Sequence, residues 1–441
     1  MVIYQSHWDG INPTIYKFQN ILLVAFLTIL IANHHAQTIW FSVIDTFVNN
    51  GELIFIDGHV VHANNNYLVN RGEIHFTGDW ENNTQLPQGF NPDTGTYNLA
   101  GSTQFIKGNA ISYFHHLKAT GPGDKVLDID VVVGKNNGQL DLDNARFWLN
   151  THSITLENNA PGSLTRNSGF IVSETDPVAG LGFFKRKITI SPGYNYLFPM
   201  GTVNGAYIPF SVEFDETSGN IDYFALSTYP TDPSLDPNNR PLPPFVNDFY
   251  VQLNMQDASK RCLERFWVIS SPSLLPLQCN LEISYDPLDL ALNYNTELIP
   301  DSLKIFYTSS GEWNINFQSF SHEWQLMVKG MMSLTENLHA MTLYSKNEME
   351  YGVLYFPNAF TPGKSINHLF FPKGVGVKNF SWAIYNRWGE KIFEENQWPP
   401  VGWDGNIANI PAPMGVYVYK AYVETYDEKF FDYIGSFMLI R

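Results

Sequence analysis

The side chains of this chain that could do chemistry are carboxylates, histidines and aromatic rings, and they crowd into one stretch. Asp124, Asp128, Asp130, Asp141 and Asp143 are its densest acids. On extended backbone alternate residues share a face, so Asp128 and Asp130 fall together, as do Asp141 and Asp143. Two carboxylates about 5–9 Å apart can cleave a glycosidic bond, and a denser set can hold calcium. The wet face of a strand produces the same spacing with no chemistry attached. His59, His62, His75, His115 and His116 lie in the same stretch. Stacking could bring His62 to His75, but no cysteine or carboxylate stands at a ligand spacing beside them, so no metal is expected. Trp40, Tyr67, Trp80, Tyr97, Tyr113 and Trp148 offer a third chemistry. Exposed as a stripe they would stack on sugar rings, whereas buried they would close a core.

Other chemistries are excluded by what the chain lacks. It has no Gly-x-Ser-x-Gly elbow, no glycine-rich phosphate loop, no Cys-x-x-Cys and no EF-hand loop. His322-Glu323-Trp324-Gln325-Leu326 opens like a zinc-protease helix, but the second histidine is missing. No catalytic residue and no cofactor is assigned. A net charge of -17 and a pI near 5.0 disfavour nucleic acid, whose phosphates select basic surfaces. Cys262 and Cys279 are the only cysteines. They are candidates for a disulfide, with two buried free thiols as the alternative; a simple hairpin of their two alternating runs would not set them directly opposite each other.

The elements that must position these groups read as strands throughout. Charged residues make up 16% of the chain and aromatics 15%, and no long segment carries a capped helical period, so the chain is expected to be all-β. Val48-Asn49-Asn50-Gly51-Glu52-Leu53-Ile54-Phe55-Ile56 recurs 21 residues later as Val69-Asn70-Arg71-Gly72-Glu73-Ile74-His75-Phe76-Thr77. Fainter echoes begin at Asn136 and Asn167. Such a period suits one coil of a parallel β-solenoid, with Leu53, Phe55, Ile74 and Phe76 pointing inward and Asn and Gly at the corners. Ordinary β-meanders with similar turns are the alternative. From Lys187 the strands become longer and suggest an immunoglobulin-like sandwich, interrupted by a proline-rich loop over residues 229–244.

At the front, Lys17 precedes the apolar run Ile21–Ile31, which closes at Ala36. This reads as a secretory signal peptide, too short to span a bilayer, with no second apolar run after it. At the back stand four words. They are Pro357-Asn358-Ala359-Phe360-Thr361-Pro362, Asn386-Arg387-Trp388-Gly389, Gly402-Trp403-Asp404-Gly405 and Gly415-Val416-Tyr417. Read locally they are an extended entry, two turns and a strand start, framing a small antiparallel sandwich.

In this order the words closely resemble the gliding-motility-associated C-terminal domain, the type B sorting domain of type IX secretion cargo. The resemblance covers about a fifth of the chain. It implies delivery to the cell surface or medium and engagement of an outer-membrane translocon, with a dedicated outer-membrane partner as a further expectation. It also implies structural and sorting roles for Pro357, Asn358, Phe360, Thr361, Pro362, Asn386, Arg387, Trp388, Gly389, Gly402, Trp403, Asp404, Gly405, Gly415 and Tyr417. The glycine-rich words around Trp80 and Phe105 are similar to the N-terminal passengers of such cargo. The expected organisation is a signal peptide over 1–36, a solenoid-like passenger over 37–187, a sandwich over 188–350 and a sorting domain over 351–441. The expected function is non-enzymatic adhesion, surface structure or glycan contact. The alternative is a secreted polysaccharide lyase or glycoside hydrolase built on the solenoid.

Overall fold

The computed structural model describes residues 37–41, 47–63, 68–84, 94–135, 137–175, 177–216, 221–232, 242–243, 245–246, 259–272, 277–295, 298–309, 312–316, 319–322, 326–334, 337–345, 354–363, 368–374, 377–408, 410–425 and 429–441. The expected signal peptide, most of the proline-rich loop and Tyr67 lie outside these residues. Among those described, every regular element is a strand or a short 3-10 turn, and no helix is long and apolar enough to cross a membrane.

Residues 47–172 wind into a parallel β-solenoid of about five turns. One sheet has six strands: Leu53–Ile56, Glu73–Phe76, Thr96–Leu99, His116–Lys118, Leu140–Asp141 and Leu164–Thr165. A seven-stranded sheet runs from Gln37–Phe41 to Phe170–Val172. The third side carries Ser112–Phe114, Val131–Val133 and Ile154–Leu156. Apolar residues stack inward along each side: Ile74, Tyr97, Leu117 and Leu140 on the first, Trp80, Ile106 and Leu127 on the second, Phe114, Val133 and Leu156 on the third. Alternation sets this, since every second side chain of a strand must leave water.

One expected register is corrected. Val48 pairs with Val69, but Ile54 pairs with Ile74 and Phe55 with His75. The first coil holds one more corner residue than the second, and a one-residue slip exchanges the two faces. Leu53 and Phe55 therefore point outward, 54% and 69% exposed, while Ile54 and Ile56 face the core.

The corners bury polar side chains that bond from coil to coil. Asn49 Nδ2 donates to Asn70 Oδ1 at 2.9 Å, and Asn70 Nδ2 to the Thr96 carbonyl at 3.0 Å. Lys125 is fully buried and its Nζ donates to the carbonyls of Gly101 and Ser102, both at 2.7 Å, and to Gln104 Oε1 at 3.1 Å. Beside it the backbones nearly touch: a Cβ on Gly121 would meet the Gly101 carbonyl at 1.9 Å. Lys125→Met keeps the length of the side chain and orphans the Gly101 and Ser102 carbonyls, while Gln104 Oε1 still accepts from Gly101 N. A loss of about 1–3 kcal/mol is expected, read as a lowered urea midpoint.

The solenoid merges with the strands C-terminal to it. Phe184–Lys187 pairs parallel with Ile154–Leu156 on one side and antiparallel with Tyr223–Pro230 on the other. The sheet so extended has nine strands and packs against a five-stranded sheet, Asn195–Phe198, Phe210–Phe214, Leu277–Ser284, Met327–Leu334 and Phe320–His322. Phe210, Leu281 and Val328 share one core with Trp267, Met341 and the solenoid interior, which makes this a β-sandwich continuous with the solenoid.

The two cysteine-bearing runs do not form a hairpin with each other. Arg265–Ser270 pairs with Tyr223–Pro230 and Leu338–Ser345 in one sheet, and Leu277–Ser284 with Phe210–Phe214 and Met327–Leu334 in the other. Both residues are buried and neither is in a disulfide, Cys279 lying in the main core and Cys262 in a separate cluster with Phe266 and Tyr344. Burial pushes the Cys279 thiol up to about 12. Where the solenoid ends, Arg265 forms a buried ion triad: its guanidinium meets Asp289 at 2.6 Å and Glu174 at 2.7 Å.

The C-terminal region is a five-stranded sheet in the order Ala359–Phe360, Phe430–Leu439, Gly415–Thr425, Val377–Tyr385, Lys391–Glu395. Its second layer is made by the segments bearing Phe370 and Trp403 and the small pair Asn406–Ile407 and Ile410–Pro411.

Candidate functional site

Regular stacking gives the six-stranded sheet an outward face of two parallel rows. Pairing places Phe55, His75, Asn98, Lys118, Asp141 and Thr165 in one row, and Leu53, Glu73, Thr96 and His116 in the other, with Gln139 continuing it. Between the rows the inward column is entirely apolar, so the hydrogen-bonding groups are forced onto one plane. Eleven residues between Glu73 and Thr165, most of them in these two rows, line a shallow depression of about 440 Å³.

The groups within it hold one another in place. Asn98 is buried, and its Oδ1 accepts from Thr120 N at 3.2 Å and Thr120 Oγ1 at 3.0 Å. Its Nδ2 lies 3.3 Å from His75 Nδ1, while His75 Nε2 lies 3.0 Å from Glu73 Oε2. An amide donor on Nδ1 leaves Nε2 as the protonated nitrogen. Phe55 sets its ring edge-on to His75 at 5.0 Å. Lys118 Nζ faces Asp141 at 3.4 Å. Burial, and then the neighbouring His115, lower the His116 pKa, which favours the uncharged ring.

The acids singled out by spacing do not converge. Asp124 is held by Arg146 at 2.7 and 3.1 Å, and Asp130 accepts from Ser153 N at 2.8 Å. Asp141 accepts from Asp143 N at 3.1 Å, and Asp143 binds Asn167. On the polar face the two carboxylates, Glu73 and Asp141, stand three strands apart, roughly 14 Å at one strand spacing per step. His62 and His75 lie on different sheets and do not meet. Among the described residues no group of three or more His, Cys, Asp or Glu could hold a metal ion.

Among the described side chains, which exclude those of Trp40 and Tyr67, the aromatic stripe is dispersed as well. Trp80 and Tyr97 are fully buried and pack edge-to-face with each other and with Phe114, at 5.1 to 5.5 Å. Trp148 is half-buried beneath the Arg146 guanidinium, 5.7 Å from its centroid. Sequence reasoning looked for acids and rings and missed Thr96, Asn98, Lys118, Gln139 and Thr165. The signal was present as polar–apolar–polar triplets, Glu73-Ile74-His75, Thr96-Tyr97-Asn98, His116-Leu117-Lys118 and Gln139-Leu140-Asp141, each occupying the same phase of its coil.

The C-terminal words assemble into one unit. Phe360 packs on Trp403 at 5.5 Å, Trp403 on Tyr417 at 5.2 Å, and Trp403 Nε1 donates to the Asn406 carbonyl at 2.8 Å. Pro362 lies against Gly405, and Asp404 caps the turn by accepting from Asn406 N at 2.9 Å. Asn358 and Phe360 accept backbone bonds from Met438 and Ile440, which docks the Pro357–Pro362 segment on the last strand. Asn386 closes the turn at Gly389, whose φ of +79° suits a residue without Cβ. Gly402 shares the Trp403 turn, Gly415 opens the strand of Tyr417, and Thr361 is half-buried beside Pro362.

Solenoid, sandwich and aromatic-cored terminal sheet together define a passenger protein with a C-terminal accessory domain. Residues 354–436 match the family model of the CHU_C type IX secretion signal domain. The terminal domain is a sorting domain, and the chain is type IX secretion cargo, a secreted or cell-surface protein. No curated protein matches the chain.

Proposed function

We propose that the passenger is a non-catalytic binding module that lays an extended, uncharged polysaccharide along the polar face of the solenoid. The observation that carries this is the row Phe55, His75, Asn98, Lys118, Asp141, Thr165, one residue per coil. Strands repeat every ~4.8 Å along the axis, close to the advance of an extended glycan per ring, so successive rings can meet His75, Lys118, Asp141 and Thr165 in turn, with Asn98 buried beneath and holding His75. Phe55 supplies an exposed ring at one end for stacking. The two acids and one lysine of the face nearly balance, and a chain of net charge -17 repels polyanions. A carboxylate separation of roughly 14 Å exceeds the 6.5–9.5 Å of an inverting pair and the shorter retaining distance, which favours binding over hydrolysis. Adhesion of the cell surface to glycan is the biological use this suggests.

The test is a pull-down of the purified chain with a panel of insoluble neutral polysaccharides, with released sugar measured in the supernatant. Retention without release is expected, with Lys118→Ala and Phe55→Ala each lowering affinity about tenfold, the worth of one hydrogen bond to a charged group or one ring contact. Release of soluble sugar would establish the alternative, a polysaccharide-degrading enzyme. Failure of the wild-type chain to bind any of the panel would sink the reading.

A further inference from the structure

The fifteen sorting-domain residues divide by what the fold asks of them. Phe360, Trp403 and Tyr417 are core, Asn386, Gly389, Gly402, Asp404 and Gly405 shape turns, Pro357, Asn358, Thr361 and Pro362 belong to the segment docked on the last strand, and Gly415 opens the strand of Tyr417. Two are left without such a role. Trp388 is 80% exposed, and its ring makes no aromatic contact among the described residues. Arg387 beside it is exposed and has no carboxylate partner among the described residues. Yet the turn that carries them is tightly fixed. Asn386 Oδ1 accepts from Trp388 N at 2.9 Å and Glu390 N at 3.0 Å, and Asn386 Nδ2 donates to Glu390 Oε2 at 2.7 Å. The Arg387 guanidinium lies over Gly415, which puts the tip beside Met414 and Val416, both more than half exposed.

An indole held in water by a rigid turn, next to a guanidinium with no carboxylate partner among the described residues, is costly for a domain on its own and well suited to a partner. Trp and Arg are the residues that dominate interface energetics, and a pre-ordered anchor loses little entropy on docking. We propose that Trp388 and Arg387 are the contact by which a protein of the type IX machinery grips this sorting domain. The partner must offer an apolar slot for the indole, with a carboxylate at its rim for the guanidinium.

The experiment expresses full-length Trp388→Ala and Arg387→Glu chains in a host with type IX secretion and measures exported against cell-retained protein. Each purified variant is also melted. Export should fall about tenfold or more for Trp388→Ala with the melting temperature unchanged, and Trp388→Phe should recover part of it. Arg387→Glu should lower export too, and it keeps the test decisive if Trp388→Ala were to unfold. Export at the wild-type level in both variants would overturn the proposal. So would export that continues while Trp388→Ala abolishes self-association of the purified chain, which would assign the turn to a second copy.

Discussion

Arg265→Ala is expected to destabilise the solenoid–sandwich body by about 3–5 kcal/mol at neutral pH, because it leaves two buried carboxylates with no cation. The guanidinium is bidentate to Asp289, at 2.6 and 3.2 Å, and meets Glu174 at 2.7 Å, and all three side chains are at most 8% exposed. Glu174 belongs to the segment after the last solenoid strand and also accepts from Val203 N, so the triad fastens the end of the solenoid to the sandwich. Even in the intact protein, burial pushes the Asp289 carboxyl up to about 6, although Arg265 opposes the shift. A carboxyl raised in the folded state binds its proton more tightly there than in the unfolded chain. Its stabilising contribution is present below the unfolded value and is lost as pH rises through about 6. Without Arg265 the Asp289 carboxyl moves further up, so the deficit should be largest near pH 7 and narrow toward pH 4.5. Urea midpoints of wild type and variant at the two pH values measure it. An equal deficit at both would show that lost packing, not stranded charge, is responsible.

The triad was not legible in the sequence, and the reason is topological. Glu174, Arg265 and Asp289 lie far apart in the chain and meet only because Tyr223–Pro230 brings the Arg265 strand alongside the solenoid's last sheet. The solenoid itself was legible, since Asn70-Arg71-Gly72-Glu73-Ile74 repeats the corner and strand start of the preceding coil. Its phase was not: one additional corner residue reversed Leu53 and Phe55, and nothing local separates a tight corner from a wide one. The polar face followed from that phase and was therefore hidden with it. How the two cysteine-bearing runs pair was hidden for a related reason, as consecutive strands of a sandwich readily enter opposite sheets. The sorting domain was the most readable part. Its words are turns and core anchors fixed by local geometry, such as the Asn386 cap and the Trp403 hydrogen bond, so they keep their meaning without knowledge of distant contacts.

Two tryptophans of that domain should fail in opposite ways, and the contrast separates folding from recognition. Trp403 is 1% exposed, with its ring against Phe360, Tyr417 and Phe437. Truncation to alanine opens a cavity in a small core, and a loss of about 3–5 kcal/mol is expected, enough to unfold a domain of this size. Burial of Trp403 also fixes the Asn406 turn through Nε1, so Trp403→Phe should recover the packing but not this bond. Limited proteolysis of the full chain reads the outcome. Trp403→Ala should be trimmed from the C-terminal end at protease levels that leave wild type and Trp388→Ala intact. In cells Trp403→Ala should lose export together with total protein, since an unfolded terminus is degraded, whereas Trp388→Ala should accumulate unexported. If Trp403→Ala resists the protease and is still exported, the buried cluster around Trp403 does not hold the domain together, and the division of its residues into core and contact fails with it.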